Sequence, residues 1–143
     1  MTQQDQRRSA PSALRNREAI ASVLQSVLPD SGMILEIGSG TGEHVIHFAE
    51  KFGDLIFQPT ERDPAKLGSI KAWIEETKLP NIRQPFAFDL LEDDAPIEKA
   101  DAVISANVIH IAPWAATIAL FKLAGQLLPS NAPLFFYLSL IHI

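Results

Sequence analysis

The sequence contains no cysteine. Disulfides, thiolate metal sites and a cysteine nucleophile are therefore excluded, and a reducing, cytoplasmic location is the compatible one. No signal-peptide pattern opens the chain, because the first apolar run, Ala19 to Leu28, is broken by Ser22, Gln25 and Ser26 and begins too far in. Positive charge is also short: the net charge is −5, which argues against binding of the nucleic-acid backbone as the main activity. Internal repeats and low-complexity linkers are missing too, so a single domain is the economical reading. One uncharged stretch, Ala102 to Phe121, has the length of a membrane span. It holds Ser105, Asn107, His110, Pro113 and Thr117 and reads instead as a buried strand, a turn and a core-facing helix. No membrane partner is expected.

What is present is the composition of a packed globular domain, 47% apolar and 20% charged over 143 residues. Charge is unevenly placed. Residues 1 to 17 carry Arg7, Arg8, Arg15 and Arg17 against Asp5 alone, a local +3 that leaves −8 for the remainder. Residues 1–9 are expected to form a flexible, solvated basic arm.

Beyond the arm, helical and strand patterns alternate. Asn16 to Val27 has apolar residues at helical spacing, and Pro29-Asp30-Ser31-Gly32 ends it. Met33 to Ile37 reads as a strand, Glu43 to Lys51 as a helix, Leu55 to Phe57 as a strand. Pro64 to Lys78 follows as a helix capped by Asp63, stopped by Leu79-Pro80-Asn81. A strand near Pro85 to Phe88, an acidic connection, the Ala102 to Ser105 strand, a helix from Pro113 to Leu127 and a strand from Leu134 to Tyr137 complete the pattern. Repeated strand–helix units predict an α/β fold, doubly wound, with a mostly parallel sheet.

Between the first strand and its helix lies Gly38-Ser39-Gly40-Thr41-Gly42. Glycines there allow close backbone approach, and the following helix start offers free N–H groups. A phosphate-cradling P-loop is excluded, since no Lys-Ser or Lys-Thr pair follows. The dinucleotide pattern fails at its third glycine, where Glu43 stands: an anion repels a pyrophosphate but tolerates a sulfonium. LEIGSGTG, with Glu36 ahead of the glycines, resembles the first motif of class I S-adenosylmethionine-dependent methyltransferases. That resemblance implies a Rossmann-like fold and S-adenosyl-L-methionine held by Glu36, Gly38, Ser39, Gly40 and Gly42.

In doubly wound folds a carboxylate at the end of the second strand accepts from the ribose hydroxyls about 20 residues past the glycines. Glu61 and Asp63 compete for that role. The acid-x-x-Pro frame of class I methyltransferases assigns it to Glu61 and leaves Asp63 as the helix cap. Asp89, after the third strand, matches the acid that accepts the adenine amino group, and Asn107 and His110 follow the fourth strand. His110 titrates near neutrality and is the candidate base or substrate contact, with Asn107 beside it. His44 and His47 stand three apart without a third ligand, so no metal is expected. His44 is read as lining the cofactor pocket and His47 as a helix-surface residue.

The segments Ser9 to Glu18, LEIGSGTGEH, FQPTERDP, Ile70 to Ile74 and Asn107 to Trp114 together resemble the methyltransferase-like protein 26 family over residues 9 to 137. The resemblance implies that Arg15 and Asn16 fold over the crevice as a substrate-side lid, against the plainer reading of Asn16 as a helix cap. Trp114 is read as lining the acceptor pocket or, more simply, as a core aromatic. At Glu61 the family usually has Asp; the longer side chain keeps the charge. The family continues through further strands, so residues 10–137 are read as an incomplete S-adenosylmethionine-binding domain lacking the last strands. Leu138-Ser139-Leu140-Ile141-His142-Ile143 is the translation of CTG TCT CTT ATA CAC ATC, which resembles a transposase end used in library preparation, and is read as a non-native adapter. Three functions compete: a methyltransferase acting on a small molecule or protein, an NAD(P)-binding oxidoreductase, and a non-catalytic cofactor-binding or interaction module. The methyltransferase is favoured because the glycine turn, Glu61 and Asp89 act together.

Overall fold

The computed structural model describes residues 7–8, 11–106 and 113–137. Asn107, His110 and the segment Leu138 to Ile143 lie outside them. In chain order the elements are α1 (Pro11–Val27), β1 (Gly32–Ile37), α2 (Glu43–Lys51), β2 (Leu55–Glu61), α3 (Pro64–Thr77), β3 (Phe86–Ala87), β4 (Ala102–Ala106), α4 (Pro113–Leu127) and β5 (Leu134–Tyr137). The strands form one parallel sheet in the order β3-β2-β1-β4-β5. This is the doubly wound α/β architecture, and the order reverses between β1 and β4, the point beyond whose carboxyl ends such sheets bind ligands.

Side chains alternate across the sheet, as strand geometry requires. Ile34, Phe57, Ala102 and Ile104 join Ile20, Leu24, Val45, Phe48 and Ile70 in one core on the side of α1, α2 and α3. Leu35, Ile37 and Val103 join Leu120, Leu123 and Leu127 of α4 in the other. The outer face of α4 is apolar as well, with Trp114, Ile118 and Phe121 exposed. Among the described residues no helix is long and apolar enough to cross a membrane.

Several boundaries differ from the sequence reading for identifiable reasons. β2 runs on to Glu61, through a proline that reads as a strand stop. Phe57 exchanges hydrogen bonds with Asn81 and Arg83, and Glu61 accepts from Phe88, all on the β3 side. Pro59 faces that same side, where the neighbouring chain swings away, so no donor is missed. The Gln58 amide bridges the interval instead, donating to the carbonyls of Pro59 at 3.0 Å and Gln84 at 2.9 Å. β3 is accordingly only two residues long.

α1 starts at Pro11 and not at Asn16, so Asn16 sits inside the helix and the cap reading is overturned. Asp63 does cap α3, accepting from the Ala65 N–H at 2.9 Å ahead of Pro64. The expected flexible arm is also corrected in part, because Arg7 and Arg8 are docked on α3.

Asn81, read as part of a helix stop, is a buried clamp. Its Nδ2 donates to the carbonyls of Ala49, Phe52 and Leu55 at 3.0, 3.3 and 3.0 Å, tying the end of α2 to the start of β2. Deleting it strands buried carbonyls, so Asn81→Ala is expected to cost about 2 kcal/mol, read as a lower denaturant midpoint at unchanged slope.

Candidate functional site

The glycine turn leaves β1 at the centre of the sheet, and its glycines do different jobs. Gly40 has φ 61°, and a Cβ built on it meets nothing within 4 Å: its backbone faces open space. Gly42, φ 104°, is a packing residue, because a Cβ there would lie 3.3 Å from Ile70 Cα and from Trp73 Cδ1 of α3. Ser39 acts as a fastener between the turn and β2. It is buried, its N–H donates to the Thr60 carbonyl at 2.7 Å, and its Oγ accepts from the Thr60 N–H at 3.2 Å. Thr60 Oγ1 in turn donates to the Glu36 carbonyl at 2.6 Å. The turn is thereby pinned to β2.

Glu61 completes that attachment. Oε1 accepts from the Gly40 N–H and Oε2 from the Asp63 N–H, both at 2.9 Å. An ionised carboxylate offers about four lone-pair sites, so two protein bonds leave acceptor capacity on a group that is only 6% exposed. One side chain joins the turn after β1 to the loop after β2. The longer Glu, where the resemblance calls for Asp, makes that span.

Glu36, on β1 two residues before Gly38, is 2% exposed. Its Oε1 has no hydrogen-bond partner among the described residues. Desolvation pushes its carboxyl up to about 7; the Ser39 side chain pulls the other way, and the charges of Glu61 and Glu43 add to the rise. Glu43 is itself buried in the first turn of α2 and accepts from the Thr41 hydroxyl. Burial of Glu43 was not legible from its position, since a first-turn acid is ordinarily solvated. Glu36, Glu43 and Glu61 thus place three buried carboxyls around the turn, whose Gly40 has open space where a Cβ would lie.

Beyond β3, Arg62, Asp63, Ala87, Phe88, Asp89 and Asp93 line a depression of about 430 Å³. Asp89 stands in its wall as the sequence places it. Its Oδ1 accepts from the Leu91 N–H at 2.9 Å, and its own N–H donates to Asp93 Oδ2 at 2.7 Å, closing a tight acidic turn.

On the α1 side, Asn16 Oδ1 lies 2.9 Å from His44 Nε2, joining the helix that carries Arg15 to the helix that follows the turn. His44 is buried and stacks on Phe48. His47 is half-buried rather than on the helix surface, with Nε2 3.2 Å from Glu18, which also meets Lys51 at 3.3 Å. The one-turn spacings from His44 to His47 to Lys51 were the available signal for this α1–α2 seam. Trp114 is 76% exposed, so the core reading of it is overturned. Among the described residues no group of three or more His, Asp or Glu side chains is arranged to hold a metal ion.

Residues 7–139 match a family described as "Protein of unknown function (DUF938)". Among solved structures, coclaurine N-methyltransferase bound to N-methylheliamine and SAH is similar, with TM-score 0.69 and 16% identity over 94% of this chain and 38% of that one. A putative sarcosine dimethylglycine methyltransferase from Galdieria sulphuraria gives TM-score 0.69 and 21% identity over 84% and 45%. PKMT2 from Rickettsia typhi in complex with AdoHcy gives 0.63 and 19% over 81% and 23%. The likeness is one of fold, the Rossmann-like fold of class I methyltransferases, and the chain spans less than half the length of each.

Proposed function

This chain belongs to the DUF938 family, and from that premise we propose that it is an S-adenosylmethionine-dependent methyltransferase whose cofactor lies across the carboxyl ends of β1, β2 and β3. The observation that carries this is Glu61, a buried carboxylate at the end of β2 that grips the Gly40 N–H and keeps acceptor capacity. The fit of the group rests on two further features: the unpartnered, buried Glu36 Oε1 and the empty space where Gly40 would carry a Cβ. Glu61 holds the ribose hydroxyls, Asp89 the adenine amino group, and Glu36 with the Gly40 backbone the amino-acid end. When bound, the cofactor supplies a methyl group on a sulfonium, which is transferred by in-line displacement.

The protein contributes position and charge. Three buried carboxyls around the turn, Glu36, Glu43 and Glu61, favour a cationic ligand and disfavour a pyrophosphate at the head of α2. Asn107 and His110, which follow β4 in the sequence, are the groups proposed to meet the acceptor and to take its proton where it has one to lose. Arg15, Asn16 and Trp114 are proposed to form the acceptor side, with Asn16 held through His44. The motifs quoted above support placement in the methyltransferase-like protein 26 family, with residues 10–137 as the cofactor-binding unit and the cytoplasm as its location. The acceptor is proposed to be a small molecule or a protein.

Thermal-shift titration of the chain with S-adenosylmethionine, S-adenosylhomocysteine and NAD tests the reading. Saturation at a hundred times Kd stabilises by about 2.7 kcal/mol, so the first two are expected to raise Tm by roughly 5–10 °C. Stabilisation by NAD alone would overturn the assignment.

A further inference from the structure

The basic segment ahead of α1 is fastened to α3, and through α3 to the glycine turn. The Arg8 N–H donates to Ser69 Oγ at 2.9 Å, and its carbonyl accepts from Trp73 Nε1 at 3.0 Å. The Arg7 guanidinium lies 5.1 Å from the centre of the Trp73 ring and 3.8 Å from the Glu76 carboxylate. Ser69 has no exposed surface. Its hydroxyl does not return to its own helix, the usual habit of a mid-helix serine. It donates instead to the Thr41 carbonyl, 2.7 Å away between Gly40 and Gly42. Trp73 meets the same turn, its Cδ1 filling the space a Cβ on Gly42 would need.

Two side chains thus touch the segment on one side and the turn on the other. We propose that Ser69 and Trp73 are positioning residues through which residues 7–8 hold the Gly40-Thr41-Gly42 turn in its ligand-receiving geometry, so that docking of this segment and occupancy of the cofactor site favour one another. The inference rests on the reading of the turn as a cofactor cradle. Its logic is linkage: if the docked segment tightens ligand binding by some factor, bound ligand tightens docking by the same factor.

Arg7 and Arg8 are themselves trypsin sites, which makes the docking measurable. The full chain is digested with and without saturating S-adenosylhomocysteine, with binding measured by calorimetry on the same preparation. Cleavage after Arg7 and Arg8 is expected to slow about 5-fold or more on saturation, while cleavage after exposed Lys99 in the acidic connection is unchanged; coupling of that size is ordinary for linked sites. Ser69→Ala is expected to lose the protection and raise Kd about 10-fold. Trp73→Phe keeps an aromatic ring for Arg7 while removing the Nε1 donor and part of the indole packed against Gly42, so it reports even where Ser69→Ala fails to fold, with a smaller loss of both. Ligand that binds the wild type without slowing cleavage, or variants that bind and are protected like the wild type, would overturn the proposal alone. Absence of binding to the wild type would overturn the cradle reading as well.

Discussion

Glu61→Ala is expected to weaken S-adenosylhomocysteine binding by about 100-fold and to destabilise the ligand-free protein by roughly 2 kcal/mol. The two effects have separate causes. Charge-assisted hydrogen bonds are worth about 1.5–3 kcal/mol each; losing two to the ribose removes roughly 3 kcal/mol, or two orders of magnitude in Kd. The stability loss comes from the Gly40 and Asp63 N–H groups, which Glu61 now satisfies and which truncation leaves without acceptors. Glu61→Gln separates the two, since it keeps the shape but turns a donor toward one of those N–H groups. Glu61→Asp retains the charge with a shorter reach, so it is expected to lose the Gly40 bond first and to bind more weakly than the wild type. Calorimetric titration alongside denaturant unfolding reads both quantities. Binding by Glu61→Ala within threefold of the wild type would remove Glu61 from the site.

The second large effect concerns Glu36 and pH. Its carboxyl is raised from 4.5 to about 7 in the folded chain. Between those values the folded protein holds a proton there that the unfolded chain has released, so stability falls as pH rises. The contribution is fully present below about pH 4.5 and is lost as pH climbs through 7. Each pH step of one between the two values is worth about 1.36 kcal/mol, so the whole loss amounts to roughly 3 kcal/mol. Glu36→Gln, which cannot ionise, is expected to be more stable than the wild type at pH 8 by up to that amount, with the two converging near pH 5. The same variant is expected to bind S-adenosylmethionine more weakly, because the buried negative charge is gone. Denaturant midpoints from pH 5 to 8 check the first expectation; parallel slopes for the two proteins would show that Glu36 is not the titrating group.

Much of this was legible in the sequence because each signal was local. The strand–glycine–helix pattern, the Asp63-Pro64 helix start and the alternation of apolar runs depend on nearest neighbours, and the sheet follows from them. The cap reading of Asp63 rested on the same local chemistry, and Asp63 does accept from the Ala65 N–H at the start of α3. What escaped was long-range. Pro59 conceals the last residues of β2 because its tolerance depends on a side chain and a neighbouring segment 25 residues on. Asn81 looks like a stop signal until the three carbonyls it serves are brought to it by folding. Ser39 gives no sign in sequence of its bonds to Thr60, and the arginines at 7 and 8 look solvated until Trp73 and Glu76 meet them. In each case a polar group's partner lies more than 20 residues away, beyond any periodicity.

The interval at Pro59 has a mechanical meaning. On its β1 side, the tip of β2 is bolted to the glycine turn by paired backbone and hydroxyl bonds between Ser39 and Thr60. On its β3 side, one rung between the backbone bonds of Phe57 and of Glu61 is made by a side-chain amide with rotatable bonds, that of Gln58. A rung made of backbone is stiff; a rung made of glutamine is compliant. The sheet therefore has one compliant rung, at Gln58, along an edge of β2 that is otherwise paired through backbone. The tip of β2, held by backbone rungs on both sides, is thereby fixed together with the turn and Glu61.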